Sequence, residues 1–238
     1  MLYLIGLGLE LEDINLKTLD AIKKCKKLYL ESYTSTGAKI NELKKLLKKN
    51  LIIAERELIE DKSSKILKEA KKENVAILVY GDPLIATTHI NYPIEAKKLK
   101  IKVKIIHNVS VLNMVAETGL MPYNFGKTTS IPFNYDNINT PLEVIKNNLK
   151  LGLHSLVLLD LDPKNNKYLT INQALIYLNK NGIKGNTVAC ASLGTSKQRI
   201  KYGKIEEVLK LKFNSFPQCL VIPGKLHFRE EEALELWK

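Results

Sequence analysis

Residues 75–89 read VAILVYGDPLIATTH, and this stretch decides the fold. Val75 to Val79 is an unbroken apolar run with no polar alternation, the pattern of a strand covered on both faces in a parallel sheet. Tyr80-Gly81-Asp82-Pro83 follows at once and ends it with a turn signal. The pattern on either side agrees. Upstream, Leu2 to Ile5 reads as a strand, Ile14 to Lys24 as a helix, residues 27–32 (KLYLES) as a strand, Ile40 to Leu47 as a helix and Leu51 to Ala54 as a strand. Asp61 caps a predicted helix running to Lys72, with Ile66, Leu67 and Ala70 facing inward. Downstream come a helix from Ile94 to Leu99, a strand from Val103 to Ile106 and a helix from Val109 to Glu117. Alternating strands and helices predict an α/β fold with a mostly parallel sheet.

The segment 119–126 (GLMPYNFG) has two glycines, a proline and no periodicity, and reads as a linker. The alternation then restarts. Strands are predicted over Thr128–Pro132, Ser155–Leu161, Thr187–Ala191, Arg199–Tyr202 and Cys219–Ile222. Helices are predicted over Pro141–Leu151, Thr170–Asn179, Ile205–Leu209 and Glu230–Trp237. The expectation is two α/β domains, 1–120 and 121–238, each with a mostly parallel sheet. A cleft between them is then the default ligand site.

Length and composition narrow the class. A chain of 238 residues holds one large core or two small ones. It is 45% apolar and 26% charged, an ordinary globular balance. No apolar run reaches the roughly 18 residues of a membrane span. The start, MLYLIGLGLELED, turns acidic early, lacks a basic flank and does not read as a signal peptide. The net charge is +12, but arginine occurs only at Arg56, Arg199 and Arg229, and aromatics are 7%. Lysine runs in helix-like stretches fit solvated faces better than a dedicated nucleic-acid site, which uses clustered arginine and interleaved aromatics. Cys25, Cys190 and Cys219 form no CxxC pair, which points to a reducing, cytoplasmic setting without structural zinc.

Each candidate motif has two readings. Gly6 and Gly8 follow the first strand, but Leu11 stands where a dinucleotide fingerprint needs its third glycine, and Glu10, Glu12 and Asp13 repel a pyrophosphate. In Gly81 to His89, Asp82 suits hydrogen bonds from an amine or hydroxyls. The same residues also suit a plain strand-to-helix turn, and residue types alone leave the two open. Ser110 fits a helix cap or a ligand contact. His89, His107, His154 and His227 have no metal-ligand spacing. Asp160 and Asp162 read as loop carboxylates, since Pro163 ends the strand. Lys225 and His227 suit a carboxylate contact and a proton gate, or only a turn into the last helix.

Taken in order, YLIGLGL, ESYTS (31–35), GDPLIATTH, His107 to Ser110, GLHSLVLLDL and IPGKLHF span the chain. Together they resemble the diphthine synthases, S-adenosylmethionine-dependent methyltransferases of the tetrapyrrole methylase-like class. GDPLIATTH and PGKLHF carry most of the resemblance. It implies two α/β domains around the cofactor, in a homodimer. It implies S-adenosyl-L-methionine as cofactor, with S-adenosyl-L-homocysteine as product. The substrate it implies is translation elongation factor 2, trimethylated on the amino group of its 3-amino-3-carboxypropyl-histidine. The implied cofactor contacts fall at Leu9, Asp82, Ile85, Ser110, Val111, Leu159, Leu193 and Gln218. The family often carries ARAGS-like sequence where Leu193 stands in ASLGT, and a histidine where Gln218 stands. No catalytic base and no metal are implied. Two rival readings remain at this level: a same-fold methyltransferase acting on a tetrapyrrole, and a basic non-catalytic RNA-binding module.

Overall fold

A computed structural model describes residues 1–238. The chain divides into two compact units, Met1–Ser110 and Val111–Lys238. The first unit alternates strictly: β1 (Leu2–Gly6), α1 (Leu16–Lys24), β2 (Lys27–Glu31), α2 (Ile40–Leu47), β3 (Ile52–Ala54), α3 (Ser63–Lys72), β4 (Val75–Val79), α4 (Asn91–Lys98) and β5 (Val103–Ile106). All pairings are parallel, in the order β3-β2-β4-β1-β5. The unbroken run of β4 now has its reason. Val75, Ile77 and Val79 pack on one face with Ile66, Leu67 and Ala70 of α3 and Tyr92 and Ala96 of α4. Ala76 and Leu78 pack on the other with Ala21 and Ile22 of α1 and Leu43 and Leu47 of α2. Helices cover both faces, so neither needs polar residues. Asp61 does not cap α3 as expected; it ends a π-turn over Glu57–Asp61, and Lys62 takes the cap position.

The second unit begins with the short α5 (Val111–Met114), then β6 (Thr129–Ile131), α6 (Thr140–Lys150) and β7 (Ser155–Leu159). A two-residue pairing follows, β8 (Leu161–Asp162) with β9 (Lys167–Tyr168). Then come α7 (Ile171–Lys180), β10 (Asn186–Ala191), β11 (Arg199–Lys204), α8 (Ile205–Val208), β12 (Gln218–Ile222) and α9 (Phe228–Glu235). Thr170 and Gln173 form a capping box that starts α7. The sheet order is β11-β10-β12-β7-β6.

Two expectations are corrected. The second sheet is mixed rather than mostly parallel: only β6–β7 is parallel, while β10 pairs antiparallel with β11 and β12, and β12 with β7. The short connection from Ala191 to Arg199 allows a hairpin but not the dozen-residue crossover of a parallel pair. The division also falls at Ser110/Val111 rather than at 120/121. Val115 and Leu120 are buried with Leu156, Val188, Leu193 and Leu234 of the second unit. Trp237 Nε1 donates to the Thr118 carbonyl at 3.1 Å, and the Met121 amide to Glu230 at 2.8 Å. The 119–126 segment is therefore a packed turn within the second unit. No helix is long and apolar enough to cross a membrane.

Candidate functional site

In the first unit the candidate residues collect where parallel strands end, the ligand edge of open α/β sheets. The loops after β1 and β4 are stitched together by a two-bond bridge. Gly8 N–H donates to Gly81 O at 3.2 Å, and Gly81 N–H to Gly8 O at 2.7 Å. Glycine is required here. A Cβ on Gly6 would lie 2.6 Å from Gly81 O, and one on Gly8, whose φ is +78°, would lie 2.1 Å from Asp13 Cβ. Asp13 turns its carboxylate back to accept the Leu9 and Glu10 amides at 2.7 and 3.1 Å.

Asp82 is 5% exposed and fully engaged by protein. Its Oδ1 accepts the Leu84 amide at 2.9 Å. Its Oδ2 accepts the Asn108 amide at 3.1 Å and faces His107 Nδ1 at 2.8 Å. Asn108 Nδ2 donates on to Gly6 O at 3.2 Å and Asp13 O at 2.9 Å. One carboxylate and one amide thus lock the ends of β1, β4 and β5. The loop after β4 is held further by the Pro83 carbonyl, which accepts the Thr87 hydroxyl at 2.8 Å and lies 3.1 Å from His89 Nδ1. Burial lowers the His89 pKa, so this imidazole is neutral at pH 7.

In the second unit, Leu159 ends β7, Gln218 opens the antiparallel β12 and Ala191 ends β10, which places all three at one sheet edge. Gln218 is buried and its amide is consumed internally. Oε1 accepts the Ile171 amide at 2.8 Å, and Nε2 donates to Phe213 O and Ser215 O, each at 3.0 Å. Ala86 (φ +54°) in the loop after β4 and Ser192 (φ +49°) in the loop after β10 hold left-handed backbone without being glycine. Such strain collects at functional loops.

The PGKLHF segment takes its plainer reading. His227 caps α9, accepting the Arg229 amide at 3.3 Å, and Glu230 closes the capping box. Glu230 and His154 are fully buried and face each other at 3.0 Å. His154 Nδ1 accepts the Gly224 amide at 2.8 Å, so its Nε2 carries the proton and donates to Glu230. Burial raises the Glu230 pKa, but donors from His227, Met121, His154 and Asn124 outweigh it and hold the carboxyl below the usual range.

Residues 1–209 match the family of tetrapyrrole (corrin/porphyrin) methylases. A diphthine synthase of Methanococcus maripaludis is 42% identical, aligned over 99% of this chain and 98% of its own. A probable diphthine methyl ester synthase of Arabidopsis thaliana is 38% identical, over 100% and 98%. A crystal structure of diphthine synthase superposes with a TM-score of 0.93 at 33% identity, covering all of this chain and 96% of that one. The chain belongs to the diphthine synthase family.

It is therefore a methyltransferase with the tetrapyrrole methylase fold. Of the positions that the diphthine synthase resemblance singles out, Leu9, Asp82, Ile85 and Ser110 lie in the loops after β1, β4 and β5 of the first unit. The Ile85 amide donates to Asp82 O at 3.3 Å, and Ser110 Cβ lies 3.8 Å from the Cβ position of Gly81, so these loops touch. Val111, which opens α5, packs with the cluster holding Leu193, while Leu159 belongs to the cluster on the other face of the second sheet. Sequence reading missed Asp13 and Asn108 as organisers of the diphthine synthase loops. An acidic residue five positions after a glycine turn was the available signal for Asp13, but it read only as repulsion toward a phosphate.

Proposed function

We infer that this member of the diphthine synthase family trimethylates the amino group of the 3-amino-3-carboxypropyl-histidine of translation elongation factor 2, with S-adenosyl-L-methionine as donor. Family membership over the full chain supports this reading, together with one structural observation: the Gly8–Gly81 bridge and Asp82 network preorganise a backbone-lined sheet edge.

The residues suit that cofactor. Adenine needs apolar packing, which Leu159 and Leu193 supply beside strand ends. Polar contacts must then come from the main chain, because Gln218 and Asp82 are already committed to protein partners. We assign Leu9, Asp82, Ile85, Ser110, Val111, Leu159, Leu193 and Gln218 to cofactor binding, with Asp82 and Gln218 acting as organisers of the loops they anchor. The cofactor supplies an activated methyl group whose transfer leaves a neutral thioether. The protein holds the acceptor amine unprotonated and in line, about 3–3.5 Å from the methyl, and excludes water. No strong base is needed for that. The reading includes a homodimer working in the cytoplasm.

Incubation with labelled S-adenosyl-L-methionine and elongation factor 2 bearing the unmethylated intermediate tests it. The expected product is heavier by three methyl groups. Absence of transfer from mildly acidic to mildly basic pH refutes the assignment, and transfer to a uroporphyrinogen-type substrate instead selects the tetrapyrrole alternative. Tight RNA binding with a steep salt dependence and no cofactor binding selects the non-catalytic one.

A further inference from the structure

A second feature of the first unit is not used by the cofactor contacts assigned above. A cavity of about 320 Å³ opens between the start of α3 and the start of α4, with Glu60, Ser63, Thr88, His89 and Tyr92 in its wall. In this topology both helix starts lie toward the carboxyl ends of the strands, the edge that carries Asp82. The volume lies at the low end of the range for small-molecule pockets.

Its polar groups are arranged by Tyr33, in the loop after β2. The Tyr33 hydroxyl and the Thr88 hydroxyl both donate to Glu60 Oε1, each at 3.0 Å. Glu60 Oε2 has only a loose ion pair, 3.7 Å from Arg56 Nε. The Arg56 guanidinium is stacked over the Tyr33 ring, 5.1 Å from its centroid. His89 packs edge-on against Tyr33, with ring centroids 6.5 Å apart. A carbonyl only accepts, so His89 Nδ1, facing Pro83 O at 3.1 Å, carries the proton and Nε2 is an acceptor. That Nε2 is buried and has no partner, a costly state for a protein polar group. The site therefore combines a planar cation suited to bidentate carboxylate recognition with two acceptors, a carboxylate and a neutral imidazole nitrogen, that can take the N–H bonds of an amino group and leave its lone pair free.

We propose that the Arg56–Glu60–His89 cluster and its cavity bind the α-amino-acid head of the methyl acceptor, Arg56 taking its carboxylate and Glu60 with His89 its amino group. The proposal rests on the reaction inferred above. It also assigns the loop after β4 a double role, since His89 and Thr87 both tie to the Pro83 carbonyl beside Asp82.

The test compares wild type with Arg56→Gln, Glu60→Gln and the cavity-filling Ser63→Leu. The expected result is at least a tenfold rise in KM for the elongation factor, with the calorimetric Kd for S-adenosyl-L-methionine within twofold of wild type. An unchanged KM, or a cofactor Kd that rises in parallel, overturns the proposal. A second measurement does not depend on the reaction. Saturation-transfer NMR with free L-2-aminobutyrate, recorded with saturating S-adenosyl-L-homocysteine, is expected to show binding to wild type and none to Ser63→Leu. No signal in wild type, a signal abolished by S-adenosyl-L-homocysteine, or one that survives in Ser63→Leu overturns it. If wild type binds the amino acid in this way but transfers no methyl to the elongation factor, the inferred reaction fails and the head-group site stands.

Discussion

Replacing Asp82 with Asn changes one atom and tests whether this carboxylate organises the cofactor loops. Asp82 offers acceptors on both oxygens, and three donors use them: Leu84 N–H on Oδ1, and Asn108 N–H and His107 Nδ1 on Oδ2. An Asn side chain keeps one oxygen. Its amide nitrogen then faces at least one donor across about 3 Å, a distance set by the bonds it replaces. Turning the amide only chooses which side loses. One partly buried donor loses its acceptor, at a cost of about 1–3 kcal/mol. Because these bonds join the ends of β4 and β5, the cost falls on loops proposed to contact the cofactor. Ligand binding that must restore their geometry weakens by roughly 5- to 150-fold. Urea unfolding reads the stability loss, and titration calorimetry with S-adenosyl-L-methionine reads the affinity loss. Asp162→Asn is the control, because Asp162 is only half-buried and its side-chain bonds, open to solvent, reach Asn165 alone at the start of a 3-10 turn. If Asp82→Asn unfolds like wild type and binds the cofactor within twofold, the organising role assigned to Asp82 is wrong.

Glu230 gives a pH-dependent counterpart. Its pKa is lowered in the folded state, so its contribution is complete above the unfolded carboxyl value of about 4.3 and is lost as pH falls toward the folded value. Wild type is therefore expected to lose more stability than Glu230→Gln as pH is lowered below about 4, with Glu230→Gln starting about 1–3 kcal/mol lower at pH 7; equal losses in urea titrations across that acid range contradict this. The cysteines give a chemical readout. Burial pushes the Cys25 thiol up to about 11, and a hydrogen bond from the Cys190 thiol to the facing Cys219, with burial, raises Cys190 well above the ordinary thiol range. Iodoacetamide at pH 8 is expected to leave both unmodified in the native protein and to label them in urea, by mass spectrometry of the two forms; rapid native labelling counts against the packing described.

How much of this was legible before folding depends on how local each feature is. The parallel first sheet was written in Val75–Val79, because a strand flanked by helices on both faces has no place for polar residues, and apolarity is a property of the stretch itself. The start of α7 was legible for the same reason, since its capping box spans only Thr170 to Gln173. The resemblance carried by GDPLIATTH and PGKLHF was likewise a property of contiguous strings.

Strand direction in the second sheet was not legible. Ser155–Leu159 and Gln218–Ile222 are equally apolar, yet one is parallel to β6 and the other antiparallel to both its neighbours. Pairing is chosen by connection length and by the partner, not by the strand's own residues. The turn at 119–126 had a linker's composition but is fixed by Glu230, more than a hundred positions away.

The same limit applies to the site. The sequence by itself determined that Asp82 follows a buried strand at a sheet's ligand edge. Only the tertiary structure decided that its oxygens serve protein donors, because those donors come from the end of β5. Likewise Thr88 and Glu60, 28 residues apart, meet only because α3 and α4 start side by side. Hydrogen bonds act over about 3 Å, and no pattern along a chain specifies which distant residues will come that close.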